Sequence, residues 1–330
     1  MNEFELIDRF FARPLPPASR VRRGVGDDCA LIDCGDRLLA ITTDMLLEGR
    51  HFLPGTDPEA LGYKALAVNL SDLAAAGASP QTFQLALALP RADAAWLEAF
   101  CRGLFALADR HGCVLSGGDT TRVPRLGPDL RDGPLTICIT AQGELPHQAL
   151  RGRDGAREGD DLWVSGTLGD ARAALACRRG EIAAVDSLLA AWAARMDRPT
   201  PRVELGIALR GIVNAAIDVS DGLLGDLGHI LKRSKVGAVV EAERLPRSEA
   251  LRGQPPALQR QYTLGGGDDY ELLFAAPADR RREVRAAGRA AATEVTLIGS
   301  IVAAGRGLRI VDAQGASIPG DWRGFDHFAE

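Results

Sequence analysis

Aspartate recurs beside glycine, serine and threonine at six places in this chain: GDD at 26–28, TTD at 42–44, NLSD at 69–72, GGDTT at 117–121, DVSDG at 218–222 and GGGDD at 265–269. Two of these share the frame Gly-x-Gly-Asp-Asp-x-x-Leu, at residues 24–31 and 265–272. A single such site is what turns and helix N-caps contain, because Asp and Ser side chains bond nearby backbone N–H groups. Six of them exceed ordinary turn chemistry. Carboxylates, hydroxyls and amides are hard oxygen ligands that suit magnesium, and no His or Cys cluster stands at zinc spacing. Magnesium held by a few carboxylates shares its remaining positions with water and substrate phosphates, so the pattern points to nucleotide phosphoryl chemistry. The neighbouring glycines let backbone N–H groups approach phosphate oxygens.

Two of the sites carry extra information. The apolar run Leu38 to Ile41 ends abruptly at Thr42, Thr43 and Asp44, which places a polar cluster at the end of a predicted strand. Asn69 and Asp72 share one face of a predicted helix that is otherwise rich in alanine and leucine. The residues three and four away from Asp72 are Asn69, Val68, Ala75 and Ala76, so no cation on the helix pairs with it and a metal is its expected partner. Standard nucleotide signatures are missing. There is no GxxxxGK[ST] loop and no HRD followed by DFG, and GVGDDC lacks the third glycine of a dinucleotide fingerprint. DVSDG carries its glycine at loop position 5 rather than 6, so it is no EF-hand.

The elements that must position these residues are legible in part. At 330 residues and 46% hydrophobic content the chain suits two globular domains. A net charge of -5 and a pI near 5.7 provide no basic stripe for nucleic acid. Predicted strands fall at 38–46, 84–89, 136–145, 161–169, 271–277 and 295–302. Asp57-Pro58 opens a helix through about Ala75, Asp93 opens another that closes at Gly112, and Thr200-Pro201 signals a third. The class is therefore α/β or α+β. The polar, Gly- and Arg-rich stretch 150–160 marks the boundary between domains 1–149 and 150–330, and 123–134 reads as an exposed loop.

Six cysteines without a CxxC pair are expected to be reduced and mostly buried, as in a cytoplasmic protein. No signal peptide and no run of roughly 18 apolar residues suggests secretion or a membrane span. Lys64, one of three lysines, is expected to snorkel to solvent, and Trp96, Phe100 and Phe105 to pack in the core. Trp322 and Phe325 either close over an aromatic cation or pack the C-terminal segment against its domain.

With these residues in view, GVGDDCALI, ITTDMLLEGRHF, LGYKALAVNLSDLAAAGASP, LSGGDTTR, IDVSDGLLGDLGHI, GGGDDYELLF and DWRGFDHF resemble the thiamine-monophosphate kinase family, in order and over the whole chain. Several motifs are shared with aminoimidazole ribonucleotide synthetase and selenophosphate synthetase, whereas RHF, NLSDLAAAGA and DWRGFDHF are closer to the thiamine-phosphate enzymes. The resemblance implies a PurM-like two-domain fold, with an N-terminal ATP- and magnesium-binding α/β domain whose sheet forms a β-barrel in a homodimer, and a C-terminal α+β domain. It implies ATP-dependent phosphorylation of thiamine monophosphate to thiamine diphosphate. Asp28, Thr42, Thr43, Asp44, Asp72, Asp119, Asp218 and Asp221 are then expected to hold several magnesium ions. Gly118, Asp119, Arg153 and Ser220 are expected to meet ATP, and His51, Asp268 and Phe325 the thiamine phosphate. Asp268 and Phe325 stand where the family commonly has glutamate and tyrosine. No general base is expected, because the acceptor is already an ionised phosphate oxygen. The alternatives are another ATP-using enzyme of the same superfamily and a non-catalytic nucleotide-binding module.

Overall fold

The computed structural model describes residues 3–126, 131–149, 152–320, 322 and 324. Its first half contains helix α1 (Glu3–Phe10), strands β1 (Val21–Arg23), β2 (Ala30–Asp33) and β3 (Arg37–Leu47), helix α2 (Pro58–Ala76), strand β4 (Ser79–Leu89), helix α3 (Ala94–Arg110) and strand β5 (Val114–Arg122). A two-residue ribbon of β6 (Arg125–Leu126) and β7 (Arg131–Asp132) leads to β8 (Thr136–Pro146). The second half begins with β9 (Asp160–Ser165), α4 (Asp170–Arg178), α5 (Asp186–Asp197), α6 (Val203–Ala208), β10 (Ala215–Asp218) and α7 (Leu223–Ser234). It continues through β11 (Val236–Glu241), α8 (Glu249–Arg252), α9 (Pro256–Gly265), β12 (Leu272–Pro277), α10 (Arg281–Ala290), β13 (Val295–Ala303) and β14 (Leu308–Val311).

Two six-stranded sheets result, in the orders β1-β2-β3-β8-β4-β5 and β10-β12-β9-β13-β11-β14. Each is antiparallel apart from one parallel pair at an edge, β4 with β5 and β11 with β14. Along β8, Ile137, Ile139, Ala141 and Leu145 are buried and alternate with half-buried residues, the pattern of a strand with one face on a core. The first sheet ends in two edges, β1 and β5, so within one chain it does not close into a barrel. The barrel expected from the resemblance would need a second copy.

Helix α2 joins the two halves. The Asp57 carboxylate accepts from Ala60 N at 2.9 Å, Pro58 fills the first turn, and Gly77 ends the helix at φ 69°. Fifteen of its residues are buried, because it lies on β3 and β8 with one side and against α6 and β10 with the other. Glycine lets α3 cross it closely: a Cβ at Gly103 would stand 1.8 Å from Glu59 O, and one at Gly62 2.0 Å from Phe100 O. The main core runs through this helix from Phe83 and Ile139 of the first sheet to Trp163 and Phe274 of the second. A second core lies between the second sheet and α7.

Four expectations change. Phe105 is 38% exposed, whereas Phe100 is fully buried with Trp96 stacked on it at 5.1 Å, since Phe105 faces away from α2 on α3. Only Cys29 and Cys113 are buried outright, and Cys34 is exposed. The helix signalled at Thr200-Pro201 starts at Val203 and lasts six residues. Lys64 does not reach solvent; it is 6% exposed and pairs with Asp268.

The segment after α9 is anchored by a buried ionic cluster. Glu271 is fully buried and accepts from Ser165 Oγ, Arg195 Nη2 and Arg202 Nε, each at 2.6 Å. Removing one partner of a buried ion pair leaves uncompensated charge and costs about 3–5 kcal/mol. Glu271→Gln is therefore expected to lower Tm markedly in calorimetry, and a drop of less than about 2 °C would contradict this role.

Candidate functional site

The aspartates come together where the two sheets meet at α2. Asp28 precedes β2, Asp44 lies in β3, Asp72 in α2, and Asp218 ends β10. Oxygens of Asp28, Asp72 and Asp218 all lie within 4.8 Å of one another. Asp28 is 8% exposed and Asp218 3%. The Thr42 hydroxyl donates to Asp72, and Ser71 Oγ donates to Asp218 Oδ2 at 2.7 Å. On the other side, Arg153 Nη2 donates to Asp28 Oδ1 at 2.6 Å.

Crowding these carboxylates away from water raises their proton affinity. Burial, then the charges of Asp221 and Asp28, pushes Asp44 up to about 6. Burial also brings Asp218 to about 6, against the opposing hydrogen bond from Ser71. Asp72 is held well above the carboxylate range by burial and then by Asp44, and Asp28 is raised by burial despite Arg153. For Arg153, burial favours the neutral form but is outweighed by Asp28, so its guanidinium stays charged.

The DVSDG turn is held by a residue that motif reading missed. Asp226 Oδ2 accepts the backbone N–H groups of Ser220, Asp221 and Gly222 at 3.1, 3.2 and 3.1 Å. These donors lie at the N-terminal end of α7, where N–H groups lack helical partners and favour a carboxylate. An acidic residue in the first turn, four after Gly222, is the signal that could have found it.

A cavity of about 1160 Å³ opens beside the cluster, and Thr43, Asp44, Asp72, Asp218, Ser220 and Asp221 all line it. His51, Lys64, Asp268 and Tyr270 also reach it. His51 Nδ1 accepts from Leu47 N at 2.9 Å, so the neutral ring carries its proton on Nε2. Asp268 stands at φ 71° and Tyr270 at φ 51°, left-handed conformations for residues with side chains. Asp268 N donates to Ser220 O at 2.7 Å and Tyr270 N to Val219 O at 2.8 Å, so this loop and the DVSDG turn fix each other.

Some expected residues lie elsewhere. Gly118 and Asp119 are exposed on the edge strand β5, away from the cavity lining. The register Asp44↔Ile139, Ile139↔Leu85, Leu85↔Gly118 sets Gly118 three strands from Asp44, about 14 Å across the sheet. Thr43 does line the cavity, but it is exposed and its hydroxyl shares a 2.9 Å hydrogen bond with Thr140. Phe325 lies outside the described residues, and Trp322 packs on the second core.

Residues 26–145 match the family model for the AIR synthase related protein, N-terminal domain, and residues 157–312 match that for its C-terminal domain. The thiamine-monophosphate kinase of Salmonella typhimurium is 44% identical over 99% of this chain and 98% of that protein. The thiamine-monophosphate kinase of Escherichia coli strain K12 is 43% identical with the same coverage. The crystal structure of the Stenotrophomonas maltophilia thiamine-monophosphate kinase superposes with TM-score 0.78 at 45% identity, covering 96% of this chain and 98% of that one. AaThiL in complex with AMPPCP and TMP superposes with TM-score 0.81 at 32% identity, covering 99% and 97%. With near-complete coverage at these identities, the chain belongs to the thiamine-monophosphate kinase family.

Proposed function

We propose that this chain transfers the γ-phosphoryl group of ATP to thiamine monophosphate, giving ADP and thiamine diphosphate. The observation that carries the reading is the convergence of Asp28, Asp72 and Asp218 within 4.8 Å beside a cavity that His51 and Asp268 also line. It is supported by relatives named for this reaction and by a neighbour that binds AMPPCP and TMP.

The donor set fits magnesium: three carboxylates, two buried and Asp72 half-buried, with hydroxyls beside them and, among the described residues, no thiol or imidazole in the set. Asp28, Asp44, Asp72, Asp218 and Asp221 would hold the ions, with Thr42 and Thr43 assisting. Bound there, divalent ions neutralise and align two phosphate anions. The protein's own groups do the positioning. Asp226 holds the Ser220–Gly222 backbone in place, and Arg153 stands beside Asp28 as a guanidinium for nucleotide phosphate. His51 offers its Nε2 proton to the acceptor phosphate without acting as a base.

Domain 1–149 is assigned to ATP, magnesium and dimerisation, and 150–330 to the C-terminal domain. The exposed edge strand β5, with Val114 62% exposed, suits burial against a second copy, and Gly118 and Asp119 are assigned to the nucleotide in such a homodimer. Among the described residues no helix is long and apolar enough to cross a membrane, and the described cysteines are all free thiols; we assign the chain to the cytoplasm.

The direct test is incubation with ATP, magnesium and thiamine monophosphate, following thiamine diphosphate by chromatography, with free thiamine in parallel. Diphosphate formed from the monophosphate alone is expected; absence of product from it would reject the reading. Asp72→Asn should lower kcat/KM by on the order of 10³, since a ligand to catalytic metal is lost. Near wild-type turnover would remove Asp72 from the metal site.

The same charges set a dependence on pH. The folded-state value of about 6 for Asp44 lies above its ordinary 3.8, so protonation contributes stability that is fully present below 3.8 and lost as pH rises through about 6. In chelated protein, Asp44→Asn should therefore match the wild type near pH 4 and exceed its Tm by a margin that grows between about pH 4 and about pH 6 and stays level above it. A Tm difference that shrinks as pH rises would contradict the burial of this charge.

A further inference from the structure

The chain has three lysines, and two of them, Lys232 and Lys235, lie exposed at the end of α7. Lys64 is 6% exposed. An ammonium on a flexible stem ordinarily reaches water, and burying it without compensation is costly. Its compensation is Asp268, 204 residues away in sequence. That carboxylate is itself held rigidly, by the left-handed backbone, by its N–H on Ser220 O, and by a hydrogen bond with the Tyr270 side chain. The ammonium carries three donors, and Asp268 Oδ2 takes one.

Lys64, Val68 and Asp72 fall at i, i+4 and i+8 of α2, one face of the helix, and all three line the cavity. Eight residues of helix set the backbone positions of Lys64 and Asp72 about 12 Å apart along the axis. One helix thus gives the cavity an acidic, cation-seeking end and a cationic end. At the cationic end an isolated Asp268 would repel a phosphate; paired with Lys64 its charge is balanced, and the ammonium keeps two further donors.

We propose that Lys64 is the acceptor-phosphate ligand: its ammonium, clamped by Asp268, binds the phosphate of the phosphomonoester substrate together with Nε2–H of His51, and so selects the monophosphate over the unphosphorylated alcohol. Asp268 then acts as a positioning residue that holds Lys64, rather than as a direct contact to the substrate phosphate. The inference rests on the phosphoryl-transfer reading above and deepens it.

Lys64→Met keeps the length and apolar stem while removing the charge. In the full-length protein with magnesium, calorimetry should show thiamine monophosphate affinity falling by roughly 30- to 100-fold, with free thiamine affinity and the KM for ATP within about 3-fold of wild type. Lys64→Arg should recover part of the loss. Because Lys64→Met leaves Asp268 without its cation, the double variant Lys64→Met, Asp268→Asn removes both charges and should show the same loss of phosphate selectivity in a protein without that unpaired anion. Equal loss for monophosphate and free thiamine in both variants, or undiminished monophosphate affinity, would overturn the assignment. Wild-type protein that fails to turn over thiamine monophosphate defeats the functional reading itself; wild type that turns it over while Lys64→Met retains selectivity defeats this inference alone.

Discussion

Like charges brought together out of water are the constraint around which the rest of this molecule is arranged. Asp28, Asp72 and Asp218 arrive from a loop, a helix and a strand end, and their oxygens lie within 4.8 Å of one another. At that separation in a low dielectric they cannot all remain ionised without protons or cations. The surroundings limit that cost without abolishing it. Ser71 and Thr42 donate hydrogen bonds, Arg153 supplies one guanidinium, and the rest of the deficit remains as raised proton affinity. Packing holds the arrangement: α2 is buried along most of its length and carries Asp72 into the junction, so the carboxylates cannot separate without opening the core.

The paired aspartates of the two Gly-Asp-Asp frames divide their work. In the first, Asp28 faces the cluster while Asp27 accepts from Arg23 Nη1 at 2.9 Å and from Arg153 N at 3.3 Å. In the second, Asp268 faces the cavity while Asp269 takes Gly169 N, at the start of α4, at 3.0 Å. One carboxylate of each pair meets the cavity or cluster, and its neighbour ties the loop to backbone from another element. Adjacent residues with opposite tasks explain why the frame recurs: a loop that presents a charge needs an anchor within one residue of it.

This division also marks what the sequence could and could not reveal. The apolar runs that became β3, β8, β12 and β13 stand out because a buried strand has few ways to hide its period, and the start of α2 was written in Asp57 and Pro58. The acidic motifs named the members of the cluster because each stands beside small residues where an apolar element begins or ends. Strand β5 was harder to see, since SGGDTT has the composition of a loop and pairs only along one edge. Lys64 was misread for a related reason. Its partner lies 204 residues away, and helix periodicity contains no information on which face of α2 would meet the second sheet. Asp226 was missed because a first-turn carboxylate on a helix is ordinary until three N–H groups are seen to converge on it.

The loop 267–271 shows how the anchoring and the chemistry depend on each other. Asp268 and Tyr270 both take positive φ, a conformation that glycine would adopt without strain. Glycine there would lose the side chains that meet Lys64 and line the cavity, so the strained conformers persist and must be held by what flanks them. Asp269 on Gly169 N and Glu271 on Arg195, Arg202 and Ser165 provide that hold, from within buried structure rather than at the surface. A buried ionic cluster contributes little net stability compared with apolar packing, yet it is directional where packing is not. It fixes the backbone angle at two residues whose side chains must point into the cavity, which is a task that an apolar anchor of similar volume would perform less sharply.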